Sequence, residues 1–258
     1  MGMQPLLSNQ VAPPLGFSDK TIRRVGTAGW AVPRAVAEDF PAVGSTLERY
    51  CARFNAVEIN STFYRSHRPS TYLRWAMATP PHFRFALKLP QTITHHARLV
   101  NVTSLLTAFV AEALHLGEKL GPLLVQLPPS LAYDTAVAEP FFQELRDLWP
   151  VAIVCEPRHR GWFEAEADAL MAAYDVGRVA ADPSPHPAAA ARGGWKGISY
   201  WRLHGSPRMY YSTYGQSALL ALAADVLGAT GETWCVFDNT ASGAATANAL
   251  RLQEMIAT

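Results

Sequence analysis

Seven apolar stretches of this 258-residue chain end on side chains that bind or move charge. Glu58 and Asn60 stand in VEINSTFYR, Lys88 in FRFALKL, Gln126 in PLLVQLP, and Glu156 with Arg158 in VCEPRHR. Asp182 closes GRVAAD, Arg202 and His204 lie in YWRLHG, and Asp238 with Asn239 in VFDN. Carboxylates held near one another separate their pKa values, which is what a general acid and a general base require. Glu58, Glu156 and Asp238 are therefore the acid–base candidates, with His204 as a proton shuttle. Lys88, Arg158 and Arg202 suit a phosphate or a carboxylate. A hydrolase or isomerase working through paired carboxylates on an anionic small molecule or phosphodiester is the chemistry this set suggests.

The elements that must position these groups are legible from periodicity. Eight short β-rich runs occur near residues 25, 58, 86, 125, 154, 180, 202 and 236. Between most of them, apolar residues recur at helical spacing: Leu47, Tyr50, Cys51 and Phe54; Leu106, Phe109, Val110 and Ala113; Ala167, Leu170, Met171 and Tyr174. Leu219, Leu222, Ala223 and Val226 repeat the pattern, and Ala245, Ala249, Leu252 and Ile256 make a similar stripe. Eight strand–helix alternations over this length predict an α/β fold, a single (β/α)8 TIM-like barrel. One connection breaks the rhythm. Three prolines within five residues, Pro183, Pro185 and Pro187, predict an irregular loop over 183–197 after the sixth strand, either a lid or a surface excursion.

In such a barrel the loops at the C-terminal strand ends converge on one mouth. Side chains alternate across a strand, so Glu58 and Asn60 share a face, as do Glu156 with Arg158 and Arg202 with His204. The competing reading is a salt-bridge network that satisfies itself and merely holds the upper barrel. Both signs of charge gathered at one end, where Val, Ile and Leu would fill the layers, favour a site.

Aromatic residues add Tyr64 after the second strand and SPRMYYSTYG after the seventh, rings on which a sugar or base would stack. THHARL adds His95 and His96; adjacent residues alternate direction, so at most one faces the mouth, and His95 joins the substrate-binding set. That set is Asn60, Tyr64, Lys88, His95, Gln126, Arg158, Asp182, Arg202 and Asn239. No cofactor is predicted. A divalent metal held by carboxylates with His204 and His159 is the alternative, opposed by the interleaved Lys and Arg. VGTAGW lacks the glycine spacing of a dinucleotide loop, and no G-x-S-x-G elbow occurs.

The composition agrees with a globular body: 49% hydrophobic and 17% charged residues. A formal net charge of +1 provides no global field toward nucleic acid or an anionic membrane, so a nucleic-acid partner remains only as the alternative, through local contacts. Cys51, Cys155 and Cys235, odd in number and flanked mostly by apolar residues, read as reduced core thiols. Residues 1–21 read as a loose leader with neither a signal peptide nor a membrane span, and 22–258 as one domain, so the expectation is a cytoplasmic protein. Oligomeric state is not encoded in these patterns.

With these residues in view, the chain resembles the YecE-like proteins, a bacterial and archaeal family of domains of unknown function, number seventy-two. The blocks that carry the resemblance are VGTAGW, VEINSTFYR, FRFALKLPQTITHHARL, LGEKLGPLLVQLPPS, CEPRHRGWF, YWRLHG and VFDNTASGAATANALRLQEM, in that order across residues 25–256. The resemblance implies a TIM-barrel fold and no particular activity. The segment after Gly29–Trp30 and Pro157 in CEPRHR depart from the pattern usual in that family, and leave Glu156, Arg158 and His159 in place.

Overall fold

The computed structural model describes residues 22–257, so the expected leader at 1–21 lies outside the described residues. The strands are β1 (Arg23–Thr27), β2 (Ala56–Ile59), β3 (Arg84–Lys88), β4 (Leu120–Gln126), β5 (Ile153–Glu156), β6 (Val176–Arg178), β7 (Ala180–Asp182), β8 (Gly193–Gly194), β9 (Ile198–Leu203) and β10 (Glu232–Phe237). The helices are α1 (Thr46–Cys51), α2 (Ser61–Tyr64), α3 (Pro69–Met77), α4 (Thr103–Ala113), α5 (Thr135–Leu148), α6 (Ala165–Ala173), α7 (Gln216–Leu227) and α8 (Ala244–Ile256). Each of the eight expected strands is present, the sixth divided at Val179 into β6 and β7.

Parallel pairing runs β2-β3-β4-β5-β6 in one sheet and β1-β10-β9-β7 in the other. The sheets meet where β6 passes into β7, with Val179 N–H donating to Cys155 O at 2.9 Å. They meet again between β1 and β2, where Ala28 bridges Glu58 and Gly29 N–H donates to Glu58 O at 2.8 Å. Side chains complete that second junction. The Asn55 amide accepts from Val25 N–H and donates to Arg23 O, and the Tyr50 hydroxyl accepts from Thr27 N–H and donates to Ala56 O. These groups satisfy backbone donors and acceptors that a continuous ladder would have paired. The crossing leaves no room at Gly26, whose Cβ would lie 2.1 Å from Ala56 O.

Two cores result. Between strands and helices lie Tyr50, Phe54, Phe85, Leu106, Phe142, Trp162 and their neighbours. A second cluster fills the space enclosed by the strands: Ala56, Ala86, Leu124, Val154, Val179, Ile198, Tyr200, Trp234 and Val236. Small Ala56 and Ala86 admit the large rings of Tyr200 and Trp234, which stack 5.9 Å apart. Local signals set the helix starts. Ser45 and Glu48 form a reciprocal capping box on α1, and the Asp134 carboxylate accepts from Ala136 N–H at the start of α5.

The connection after β7 is irregular, as the prolines predict. It holds only a short 3-10 turn, Pro187–Ala190, before β8 pairs antiparallel with β6. Arg178 pins it, donating to Ala188 O and Ala191 O while pairing with Asp168. The loop therefore runs back along the flank and is not a lid over the C-terminal strand ends. A cavity of about 500 Å³ opens on this flank, lined by Arg192, Trp195, Lys196, Trp201 and Asp225 among others.

Candidate functional site

Residues of the same parity as the interior cluster point inward, and at the C-terminal ends of the strands these are Glu58, Lys88, Gln126, Glu156, Arg202 and Asp238, followed by Asn60, Arg158 and His204. Arg202 is their hub and is fully buried. Its Nε and Nη2 grip Glu58 at 3.1 and 2.7 Å, its Nη1 donates to Glu156 Oε2 at 2.6 Å, and its Nη2 also reaches Asp238 Oδ2 at 3.0 Å. The Tyr200 hydroxyl donates to Glu58 Oε2 at 2.8 Å. Asn60 Nδ2 donates to Asp238 Oδ1 at 3.2 Å. Arg158 Nη2 lies 2.5 Å from Glu156 Oε1, and His204 bridges that oxygen to Asp238 Oδ2, 3.0 Å on each side.

Every oxygen of the three carboxylates thus has a donor. Burial alone would raise Glu156, but Arg202, His204 and Arg158 hold it well below the usual carboxylate range. Asp238 is likewise held down by Arg202 and His204 against its burial. Burial disfavours the His204 imidazolium, yet Glu156 and Asp238 raise its pKa, which favours the protonated ring donating to both. In that state the 3.1 Å contact between Arg158 Nη2 and His204 Nε2 is two donors sharing one oxygen.

Lys88 differs from all of these. It is 7% exposed, its ammonium lies 4.1 Å from the centre of the Phe63 ring, and that ammonium makes no hydrogen bond or ion pair with a described residue. Burial, then Arg202, bring its pKa down to about 8. Glu58, Glu156 and Asp238 balance Arg202, Arg158 and protonated His204, so Lys88 is a surplus cation. Arg158 Nε and Asn60 Oδ1 are buried without partners. The side chain of Gln126, half-buried, makes no hydrogen bond among the described residues.

Two further rings stand against this cluster. His95 packs edge-on against Phe63, with centroids 5.0 Å apart, and its Nδ1 lies 2.8 Å from Thr94 Oγ1. Burial and then Lys88 lower its pKa. Tyr210 stands edge-on to His204 at 5.9 Å, on a backbone with φ 68°. Tyr200 and Phe63 do not belong to the candidate set read from sequence, whereas Tyr210 is one of the rings of SPRMYYSTYG expected near the mouth. Tyr200 and Phe63 were in principle visible as an inward-parity position two before Arg202 and as the aromatic of the turn after β2.

Two expected residues go elsewhere. Asp182 aligns with Leu203, on the outward face of the strands, and accepts from the Tyr214 hydroxyl at 2.7 Å. Asn239 follows inward Asp238 and so points outward, donating to Ser212 O and Asn248 Oδ1. Neither reaches the mouth. Tyr64 is 71% exposed and touches the cluster only through Phe63. Glu58 and Arg202 reach the cluster but are sealed within it, both at 0% exposure. Among the described residues, no group of three or more His, Cys, Asp or Glu side chains is arranged to hold a metal ion. The three cysteines are buried and unpaired with one another. No described helix is long and apolar enough to cross a membrane. The flank cavity lies apart from this cluster and is lined by none of its groups.

A family model described as protein of unknown function DUF72 matches residues 24–258. The UPF0759 protein YecE of Escherichia coli K12 is 36% identical over 104 residues, which is 40% of this chain and 37% of YecE, so the alignment spans well under half of that relative. A DUF72 family protein from Enterococcus faecalis superposes with a TM-score of 0.77 at 20% identity, over 92% of this chain and 96% of that one. One from Thermotoga maritima gives 0.75 at 23%, over 92% and 100%. The 3-keto-L-gulonate-6-phosphate decarboxylase of Vibrio cholerae shares the fold alone, with 0.52 at 9% over 92% and 98%. These neighbours agree with the TIM-barrel-like α/β architecture.

Proposed function

The chain belongs to the family described as protein of unknown function DUF72, and we propose that it is an enzyme acting on a small anionic substrate, phosphorylated or a phosphodiester, at the C-terminal mouth of its barrel. The observation that carries this reading is Lys88: a side chain only 7% exposed whose ammonium has no counter-ion or hydrogen-bond acceptor among the described residues. Burying such a charge costs several kcal/mol, on the order expected for an unpaired ion, unless a ligand completes it. Arg158 Nε is a second unmet donor of the same cluster, buried in the side chain that pairs with Glu156. Gln126 and the Asn60 carbonyl oxygen supply neutral polar contacts that set orientation.

The roles divide differently from the paired-carboxylate scheme. Glu58, with both oxygens taken by Arg202 and Tyr200, positions Arg202 and does not reach the substrate. Arg202 in turn orients Glu156 and Asp238. Glu156, His204 and Asp238 form a chain of short contacts along which a proton can shift toward Arg158 and the opening. His95 and Lys88, both with lowered pKa values, are the groups beside the opening suited to exchange protons near neutral pH.

The recessed position of both cations argues for a small molecule over a nucleic-acid backbone. The side chains of Lys88 and Arg158 are nearly enclosed, whereas polymer phosphates need cations on an accessible surface. The fully engaged carboxylate oxygens likewise leave a divalent metal little to bind. The test is phosphorus NMR on a panel of small phosphomonoesters and phosphodiesters with wild type and Lys88→Met. Perturbation or conversion by wild type that the variant lacks is expected. Absence of any interaction with wild type, or equal conversion by the variant, overturns the reading.

A further inference from the structure

The sequence contains four lysines: Lys20, Lys88, Lys119 and Lys196. Lys119 spends its ammonium on Ala76 O, Thr79 O and Thr79 Oγ1, Lys196 is exposed, and Lys20 lies outside the described residues. Lys88 alone among the described lysines lies in the charged cluster with its nitrogen unengaged. Its neighbours are unusual for a residue that only binds anions. One side is the apolar Phe63 ring, and on that same ring rests His95, whose Nε2 has no hydrogen-bond partner among the described residues. An amine against an apolar wall, next to an imidazole free at one nitrogen, is an arrangement for adding to a carbonyl carbon and moving the protons that addition requires.

We propose that Lys88 Nζ is a nucleophile that forms an imine with the substrate, so that the anion bound beside Arg158 belongs to an aldehyde or ketone. This rests on the anion-binding reading above. The lone pair of the neutral amine adds to the carbonyl carbon as the C=O π bond breaks, and the proton that the nitrogen sheds passes to the oxygen to give a neutral carbinolamine. One further proton, which His95 on the same Phe63 ring can carry, converts that hydroxyl to leaving water, and the C=N bond forms as the C–O bond breaks. Water is the only product lost, and no oxidant or reductant is consumed. The resulting iminium keeps a positive charge where the ammonium was, so the bound anion and the carboxylates retain their electrostatic balance through the step.

Competing features set the availability of the amine. The cation–π contact with Phe63 favours the ammonium. Burial and the neighbouring Arg202 outweigh it, leaving a pKa of about 8. An ordinary lysine has a pKa of about 10.4, so at pH 7 Lys88 carries more than about a hundredfold as much free amine. That difference sets Lys88 apart from an ordinary lysine.

The test uses the full chain, glycolaldehyde phosphate as probe and sodium cyanoborohydride to reduce any imine, followed by peptide mass mapping at pH 7. The expected result is an adduct on Lys88 at least about tenfold more abundant than on any other lysine, suppressed by inorganic phosphate. Glycolaldehyde without phosphate should label Lys88 less. Lys88→Arg removes the nucleophile while keeping a cation: it should lose the adduct with an unchanged denaturation curve, which separates loss of the nucleophile from loss of the fold. An unlabelled Lys88 in a protein that still binds phosphate overturns imine formation and leaves the anion site standing. No phosphate binding by wild type removes both. Equal labelling of all lysines overturns the proposal as ordinary surface chemistry.

Discussion

Glu58 and Lys88 both end parallel strands, both point into the barrel, and both are buried, yet they are opposite cases of a charged group in a protein interior. Glu58 receives three donors from Arg202 and Tyr200 and is sealed. Lys88 has no acceptor for its ammonium among the described residues and rests that ammonium on the Phe63 ring. Burial alone therefore does not distinguish a working residue from a structural one; saturation does. The floor of the site is a charge network closed on itself, and the rim is a set of groups with capacity left over: Lys88, Arg158 Nε, Asn60 Oδ1 and Gln126.

The largest test of this contrast removes the hub. Arg202→Met strands Glu58, Glu156 and Asp238 and should cost about 3–5 kcal/mol of unfolding free energy, the range for breaking a buried ion pair. Urea denaturation showing a loss below about 1 kcal/mol would mean the floor holds nothing together. Glu58→Gln should cost about 2–3 kcal/mol, since charge-assisted hydrogen bonds to the guanidinium are weakened while the shape is kept. Phosphate affinity should stay near wild type. Loss of affinity with unchanged stability would move Glu58 from floor to rim.

Lys88→Met should do the reverse, lowering phosphate affinity by about 10- to 100-fold, equivalent to about 1.4–2.8 kcal/mol, without lowering stability. Calorimetric titration beside a denaturation curve separates the two effects. The pH dependence sharpens this. The lysine is near 8 in the folded chain and near 10.4 unfolded, so the unfolded state holds more protons between those values. Its contribution to stability is unfavourable below about 8 and eases as pH rises toward about 10. Anion affinity moves oppositely, falling by up to about tenfold per pH unit above about 8 as the ammonium is lost. Sulfate, whose charge is constant over this range, is the ligand to titrate from pH 6.5 upward. A flat profile in wild type would deny Lys88 its part. The smallest effect is expected at Asp182→Asn, which should leave anion affinity unchanged and cost within about 1 kcal/mol through its bond to Tyr214.

The strands were readable because inward positions carry a period of two and the covering helices a period near 3.6. Parity likewise placed Glu58, Asn60, Glu156, Arg158, Arg202 and His204 correctly on the inner face. The same reasoning failed at Asp182 and Asn239, where the strand end was read as a place and not as a face. Asp182 is paired in register with outward Leu203, and Asn239 follows inward Asp238 by one residue, so each is turned to the wrong side. Tyr200 escaped notice because an aromatic in an apolar run signals packing, and its hydroxyl's approach to Glu58 crosses 142 positions of chain.

The order of residues thus determined which segments become strands, which side chains turn inward, where proline denies the sixth connection a full helix, and that both signs of charge collect at one end. Only the tertiary structure decided which of those charges are spent. Arg202, at position 202, meets Glu58, Glu156 and Asp238 from three other strands. Which cation they leave over depends on distances of a few tenths of an ångström that no local pattern encodes. Periodicity is a property of neighbours along the chain, whereas charge compensation is a property of neighbours in space, and the surplus at Lys88 exists only in the second.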